Sequence, residues 1–315
     1  MTIHKIVIPT PFAVGDVNAF LVKGDTLSLF DVGPNTAEGF EALKKGLKEA
    51  GYDFKDVEQI ILTHHHPDHA GCLAPFENAR IIGHPYNDLW LKRDASFFEY
   101  HDRFYMDCLK EEGVPESYLS WVEKMKRPLD LMGDRPLDDV LNEGDELPGH
   151  PGWNVLETLG HAQSHLSFYH ETTGSMIGGD LVLEKISSNP LIEPPLYSTM
   201  GRPKSLLQYN DSLRRLLEIP VSIIYAGHMG EVRNVHELID TRLEKQRKRA
   251  MKVREMLNAG PKTIFQLNAE LFPTKYEKEL GLTLSETIGQ VDYLVLEGLA
   301  TESRDKLGVL LYERT

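Results

Sequence analysis

Residues 63–69 read Thr63-His64-His65-His66-Pro67-Asp68-His69. They follow the apolar run Gln59-Ile60-Ile61-Leu62, which has the length and composition of a buried strand. That strand is expected to extend through Thr63 and end directly on His64. Imidazole and carboxylate are donors that Zn²⁺, Fe and Mn accept. On an extended loop, residues i and i+2 point the same way, so His64 and His66 can share one ion. Asp68 and His69, just beyond, can reach a second. His65 alternates to the other side and is expected to point outward, away from any metal. Such groups packed side by side would be costly to bury without a cation.

A metal site also needs donors from elsewhere in the chain. Three later positions stand where strands are expected to end: Gly160-His161, Gly178-Gly179-Asp180 and Gly227-His228. A glycine before each permits a tight turn and close backbone approach. Ligands from four strand ends suit two metals held ~3.5–4 Å apart.

On either side of the motif, residues 6–8, 18–22 and 27–32 read as strands, the last two joined by Lys23-Gly24-Asp25. Residues 36–50 carry helical spacing with Phe40, Leu43 and Leu47, stopped by Gly51. Residues 79–83, 153–159, 166–170, 175–177 and 221–226 read as strands, and 205–217 as a helix. Strands followed by helix–strand alternation predict an α/β sandwich. Residues 84–142 interrupt this order with helical stretches near 86–92, 97–112 and 116–126. Their aromatics, among them Trp90, Phe97, Tyr105 and Trp121, suit either packing onto the sandwich or a lid over an apolar pocket. The Pro-rich loop 187–197 follows Asp180 closely and is expected to wall the pocket. After residue 232 come helices at 240–257, 263–271 and 285–299, then a hairpin at 301–314 turning near Arg304-Asp305. Three helices and a two-stranded wing read as a winged-helix-like domain.

The pattern HHHPDH, then GH, then GGD, then AGH, in this order along residues 1–232, resembles the metallo-β-lactamase superfamily. The resemblance implies an αββα sandwich with the site at one edge of its two sheets. Residues 1–232 would form the catalytic domain, with the helical insert at 84–142, and residues 233–315 the C-terminal winged-helix-like domain. It implies His64, His66 and His161 on one metal and Asp68, His69 and His228 on the other, with Asp180 bridging both. The cofactors implied are two divalent ions, Zn²⁺ first, with Fe or Mn also suited to these ligands. Asp68 would double as the catalytic group that orients the nucleophile. Asp31, in Phe30-Asp31-Val32-Gly33, resembles a buried aspartate that supports the site. The segment Leu159-Gly160-His161-Ala162-Gln163-Ser164-His165 departs from the commonest pattern, in which Pro precedes that Gly and Gly-His or Gly-Ser follows. His165 is therefore read as a supporting or substrate-facing group.

The chemistry expected is hydrolysis. A bound metal lowers the pKa of water from ~15.7 to about 7 and takes up charge developing on a substrate oxygen. Composition narrows the substrate. Lys and Arg total 34 against 48 Asp and Glu, a net charge of −14, which repels polyanions at long range. The basic run Arg242, Lys245, Arg247, Lys248, Arg249, Lys252 and Arg254 is offset by three acids, and residues 285–299, the candidate recognition helix, hold no Lys or Arg. Nucleic acid is therefore disfavoured as a partner. A small thioester or lactone is preferred. The alternatives are a single-stranded RNA endonuclease and, lower, a flavodiiron-type redox protein, which usually carries Glu where His66 stands. The C-terminal domain could also form a homodimer. If it lies outside the site and the rest stays folded, deleting 240–315 should spare hydrolysis of small substrates. Two cysteines, no signal-peptide pattern and no apolar stretch of ~18 residues point to a reducing, cytoplasmic location without a membrane span.

Overall fold

A computed structural model describes residues 2–315 of the 315-residue chain. Strands β1 (Ile3–Ile8), β2 (Val17–Lys23) and β3 (Leu27–Phe30) form an antiparallel meander. Strands β4 (Gln59–Ile61), β5 (Arg80–Gly83) and β6 (Asp139–Val140) then add in parallel, in the spatial order β1-β2-β3-β4-β5-β6. Parallel addition needs a crossover. Helix α1 (Ala37–Glu49) supplies the first, and its N-cap Thr36 accepts from Gly39 N–H. The second sheet holds β7 (Trp153–Glu157), β8 (Leu166–His170) and β9 (Ser175–Gly179) as an antiparallel meander. Strand β10 (Ile223–Ala226) joins β9 in parallel.

Phe20, Phe30, Ile61 and Ile82 of the first sheet meet Trp153, Phe168 and Ile177 of the second in one buried cluster. Leu43 and Leu47 of α1 cover the outer face of the first sheet, against Ile6, Ile8 and Leu29. Helix α5 (Ser205–Leu217) and the start of α6 (Val235–Met256) cover the second, where Leu206, Leu213 and Ile239 pack on Met176 and Ile224. The layers are αββα, as the resemblance implied. At one edge Asn18 N–H donates to Gly227 O at 2.6 Å and its Nδ2 to Ala226 O at 2.9 Å, tying the two sheets together.

Several boundaries differ from expectation for local reasons. Strand β4 stops at Ile61 because the Thr63 N–H turns to the Asp31 carboxylate, 2.8 Å away. Helix α6 starts at Val235 rather than 240, because Val235 and Ile239 bury against the second sheet. Residues 116–126 are not one helix but a short turn, Glu116–Tyr118, and α4 (Trp121–Met125).

The inserted segment opens with α2 (Pro85–Leu91), capped by His84, whose Nδ1 accepts from Tyr86 N–H at 3.1 Å. Helix α3 (Ala95–Glu111) follows. Trp90, Leu91 and Phe97 pack onto the first sheet's cluster. Tyr105, Leu109 and Val122 instead share a core with Leu267 of α7 (Ile264–Leu271) and with Leu284 and Ile288 of α8 (Leu280–Leu296). The aromatics are thus divided between the sandwich and the C-terminal helices. The chain ends in the hairpin β11 (Ala300–Arg304) and β12 (Leu310–Arg314). Among the described residues, no helix is long and apolar enough to cross a membrane.

Candidate metal centre

Chain reversals at one edge of the sandwich bring the expected ligands together. His64, His66, Asp68 and His69 lie on the loop after β4, His161 on the β7–β8 turn, Asp180 just after β9 and His228 just after β10. Close approach here depends on glycine. A Cβ on Gly227 would overlap Asp180 Oδ1, and one on Gly160 would overlap the backbone of Tyr209.

The donors form two adjoining groups that share a centre. His66 Nδ1 lies 3.0 Å from His64 Nε2 and 3.1 Å from His161 Nε2. Asp68, His69 and His228 form the second group, with donor atoms within 4.8 Å of one another. Asp180 stands between the groups. Its Oδ2 is 3.6 Å from His161 Nε2 and 3.4 Å from His228 Nε2, and its Oδ1 is 3.4 Å from His69 Nε2. Ligands at Zn–N ~2.0–2.1 Å on a tetrahedron stand roughly 3.3 Å apart, so these separations suit atoms around a shared ion. His69 Nε2, His228 Nε2 and Asp180 Oδ1 are buried and have no hydrogen-bond partner among the described residues. Buried polar atoms are ordinarily paired. Orphans converging on one point fit a metal.

The far side of each ring is anchored, which fixes where its free lone pair points. Nδ1 of His161 donates to Asn189 O at 3.1 Å, that of His228 to Asp16 O at 2.7 Å and that of His69 to Asp31 Oδ2 at 2.8 Å. His64 Nδ1 bonds Thr63 Oγ1 at 2.9 Å, and that hydroxyl donates to Asp31 Oδ2 at 2.8 Å. Asp31 therefore holds one candidate ligand of each group, from a backbone at φ 59° that a non-glycine residue rarely adopts. His165 is fully buried behind Asp180. Its Nε2 accepts from Asp180 N–H at 3.0 Å and its Nδ1 bonds Thr158 Oγ1 at 2.8 Å.

Electrostatics divides the histidines. Burial pushes His64 well down and His161 to about 4, so both offer neutral nitrogens. Burial also opposes charge on His69 and His228, but the carboxylates, Asp180 first, outweigh it. His69 is held well above its usual range and His228 at about 10. The negative field that would keep a proton there equally suits a cation. Burial would raise Asp68 and Asp180, yet His69 and His228 hold both below the usual carboxylate range.

The model of the metallo-β-lactamase superfamily matches residues 13–228. The chain belongs to the metallo-β-lactamase superfamily. It is 43% identical over 295 residues to a probable metallo-hydrolase of Bacillus subtilis, YqjP, covering 93% of this chain and 92% of that one. It is similar at 24% identity to a beta-lactamase-like protein 2 homolog of Caenorhabditis elegans, over 79% of this chain and 68% of that one. The metallo-beta-lactamase family protein TTHA1429 of Thermus thermophilus superposes with a TM-score of 0.80 at 29% identity, covering 99% and 98% of the two chains. Family and donor set together make this member of the superfamily a metal-dependent hydrolase.

Two features of this superfamily member escaped the sequence reading. His65 does not point outward. It is 2% exposed and stacks on Trp90 at 4.6 Å between ring centroids. Its Nδ1 lies 2.8 Å from Ser164 Oγ and its Nε2 3.0 Å from Glu193 Oε1. An alternating side chain turns away from the metal, but here the insert covers that side too. Glu193 is the second. It is 3% exposed, accepts from Gln163 N–H at 2.6 Å, and approaches His66 Nε2 to 3.7 Å. Its position in the Pro-rich loop behind Asp180 was the available signal, though nothing local marked the carboxylate itself.

Proposed function

We propose that the chain hydrolyses a small ester-like substrate, a thioester or lactone, at a dinuclear metal centre. The observation that carries this reading is a cleft of about 300 Å³ that begins at His66 and Pro67 and is walled mostly by apolar side chains. A ligand-bearing loop opening into an apolar cleft suits a small molecule better than a polymer.

His64, His66 and His161 would hold one divalent ion, and Asp68, His69 and His228 the other, with Asp180 between them. Zn²⁺ suits this imidazole and carboxylate set, and Fe or Mn would also be accepted. Such ions would supply acidified water and polarise a substrate oxygen. The chain's own part is positioning. Asp68 Oδ2, 3.4 Å from His228 Nε2, is an acidic acceptor placed to take a hydrogen bond from attacking water and aim it. Asp31 and Thr63 keep His64 and His69 in register, and His165 steadies the backbone of Asp180.

The RNA alternative rests on Lys245, Arg247, Lys248 and Lys252, all exposed on α6. Other members of that basic run are engaged internally. Arg242 donates to Leu183 O at 3.1 Å and Arg249 pairs with Glu286 at 2.5 Å. One experiment separates the two readings: chelator-reversible turnover of a thioester and of a single-stranded RNA, measured side by side. Thioester cleavage with intact RNA is expected, and His66→Ala or Asp68→Ala should abolish it with loss of bound metal. RNA cleavage with an untouched thioester would reverse the assignment.

A further inference from the structure

We infer that the cleft beside His66 is a specificity pocket for a compact apolar group, aromatic or branched, flanking the scissile bond. This inference rests on the ester-hydrolase reading above. The cleft is assembled from three parts of the chain. The insert gives Trp90, Tyr105, Trp121 and Met125, the Pro-rich loop gives Leu191, and the start of α8 gives Leu282. Its volume of about 300 Å³ stands at the low end of the ~300–1,000 Å³ of ligand sites. That leaves room for a ring or a branched chain.

Several of its polar atoms are already engaged, while Trp90 Nε1 and His66 Nε2 have no hydrogen-bond partner among the described residues. Glu193 accepts from Gln163 N–H and pairs with His65, His65 bonds Ser164, and His101 Nδ1 bonds Asp102 Oδ1 at 3.0 Å. Among the described lining residues Lys278 is the one lysine or arginine, and Glu279 lines the cleft beside it. A phosphodiester chain is gripped by several cations, and this wall does not offer them. An apolar group would displace water from a wall that is mostly apolar side chains.

The wall is also shaped. Trp121 lies directly on the backbone of α8 at Gly281, where a Cβ would overlap its indole ring. The insert and the C-terminal helix are interlocked there, so the pocket has a set width. Near-native packing makes such a site sensitive to size. Each methylene buried in it should raise transition-state binding roughly fourfold.

The reaction balances without any further reagent. The carbonyl carbon–sulfur bond of a thioester breaks and the oxygen of water bonds to that carbon. The thiolate leaves with a proton, so the products are a carboxylic acid and a thiol.

The test uses the purified holoenzyme and two series of thioesters. One series fixes the thiol and varies the acyl group through acetyl, 3-methylbutanoyl and phenylacetyl. The other fixes acetyl and varies the thiol through methyl, isobutyl and benzyl. In one of the two, kcat/KM should climb at least tenfold, which also shows the side of the bond that enters the cleft. Trp121→Ala should remove most of that climb while metal content stays at the wild-type value. A readout independent of turnover is tryptophan fluorescence, because Trp90 and Trp121 line the cleft whereas Trp153, the remaining tryptophan, lies between the sheets. Neutral N-methylphenylacetamide should perturb this fluorescence and acetamide should not. Thioester hydrolysis that is flat across both series would overturn the pocket alone, whether or not the variant folds. So would indifference to the phenylacetamide. RNA cleavage with inert thioesters would overturn the ester-hydrolase reading and the pocket with it.

Discussion

Asp31 shows how much one side chain can set in a metal site. Its two oxygens take the Thr63 N–H, the Thr63 hydroxyl and His69 Nδ1, so one carboxylate orders ligands on both sides of the centre. Glu193 faces His66 Nε2 from the other side at 3.7 Å while it pairs with His65, and its part in the site is testable. Glu193→Gln keeps the volume and removes the charge facing His66 Nε2. Metal affinity should fall 10–100-fold, the usual consequence of losing a carboxylate behind a ligating histidine. Chelator competition reads this directly, and unchanged affinity would reduce Glu193 to a packing residue. The pKa directions carry a second prediction. The metal-free centre keeps protons on His69 and His228 at pH 7, because the neighbouring carboxylates raise both. Metal must displace those protons, so affinity should rise with pH through the neutral range. Calorimetric titration at pH 7 in two buffers of different ionisation enthalpy should count about two protons released on loading. A count of zero would contradict these charge states.

Among the elements, the contact between α3 and the C-terminal hairpin is sensitive to pH. Glu112, the C-cap of α3, is 2% exposed and accepts from Tyr312 Oη of β12 at 3.2 Å. Burial drives its pKa up to about 7, against the pull of Arg202. The folded protein thus keeps a proton on Glu112 that the unfolded chain gives up near pH 4.5. Stability from this group is full below that value and is lost as pH rises toward 7. The loss is on the order of 3 kcal/mol, at about 1.4 kcal/mol per pKa unit. Glu112→Gln should flatten the stability–pH curve between pH 4.5 and 7 in denaturant melts. A slope unchanged from wild type would place the ionised carboxylate in the folded state.

Over the whole molecule, the insert and the C-terminal helices are one packed body. Tyr105, Leu109 and Val122 bury against Leu267, Leu284 and Ile288. The sequence-based expectation for deleting 240–315 required the rest to stay folded, and this packing bears on that condition. Truncation at residue 257 would uncover several such side chains, each worth ~1.5–3 kcal/mol. Together they approach the ~5–15 kcal/mol by which domains are stable. Loss of soluble protein is expected, or a strongly lowered melting temperature with the insert open to proteolysis. A truncated chain that melts with wild type would show that the sandwich holds the insert alone.

The sandwich was legible in the sequence, and the resemblance pointed to the seven candidate ligands that the fold brings to one edge. Strand periodicity, glycine before a ligand and the His-x-His-x-Asp-His spacing are local, and local order prescribes which residues leave which strand end. The resemblance placed Asp31 near the site too, and the structure finds it bonded to Thr63 and His69. Glu193 and the buried course of His65 were not legible. Both depend on the insert and a loop more than 100 residues away folding over the motif, and no local pattern encodes that meeting. The same holds for the cleft. Trp121 and Gly281 are unremarkable in sequence, and only the tertiary fold sets one upon the other. Chemistry confined to a loop is written in the order of residues. The shape of the space around it is set by long-range packing, where the contacts of one segment are decided by another.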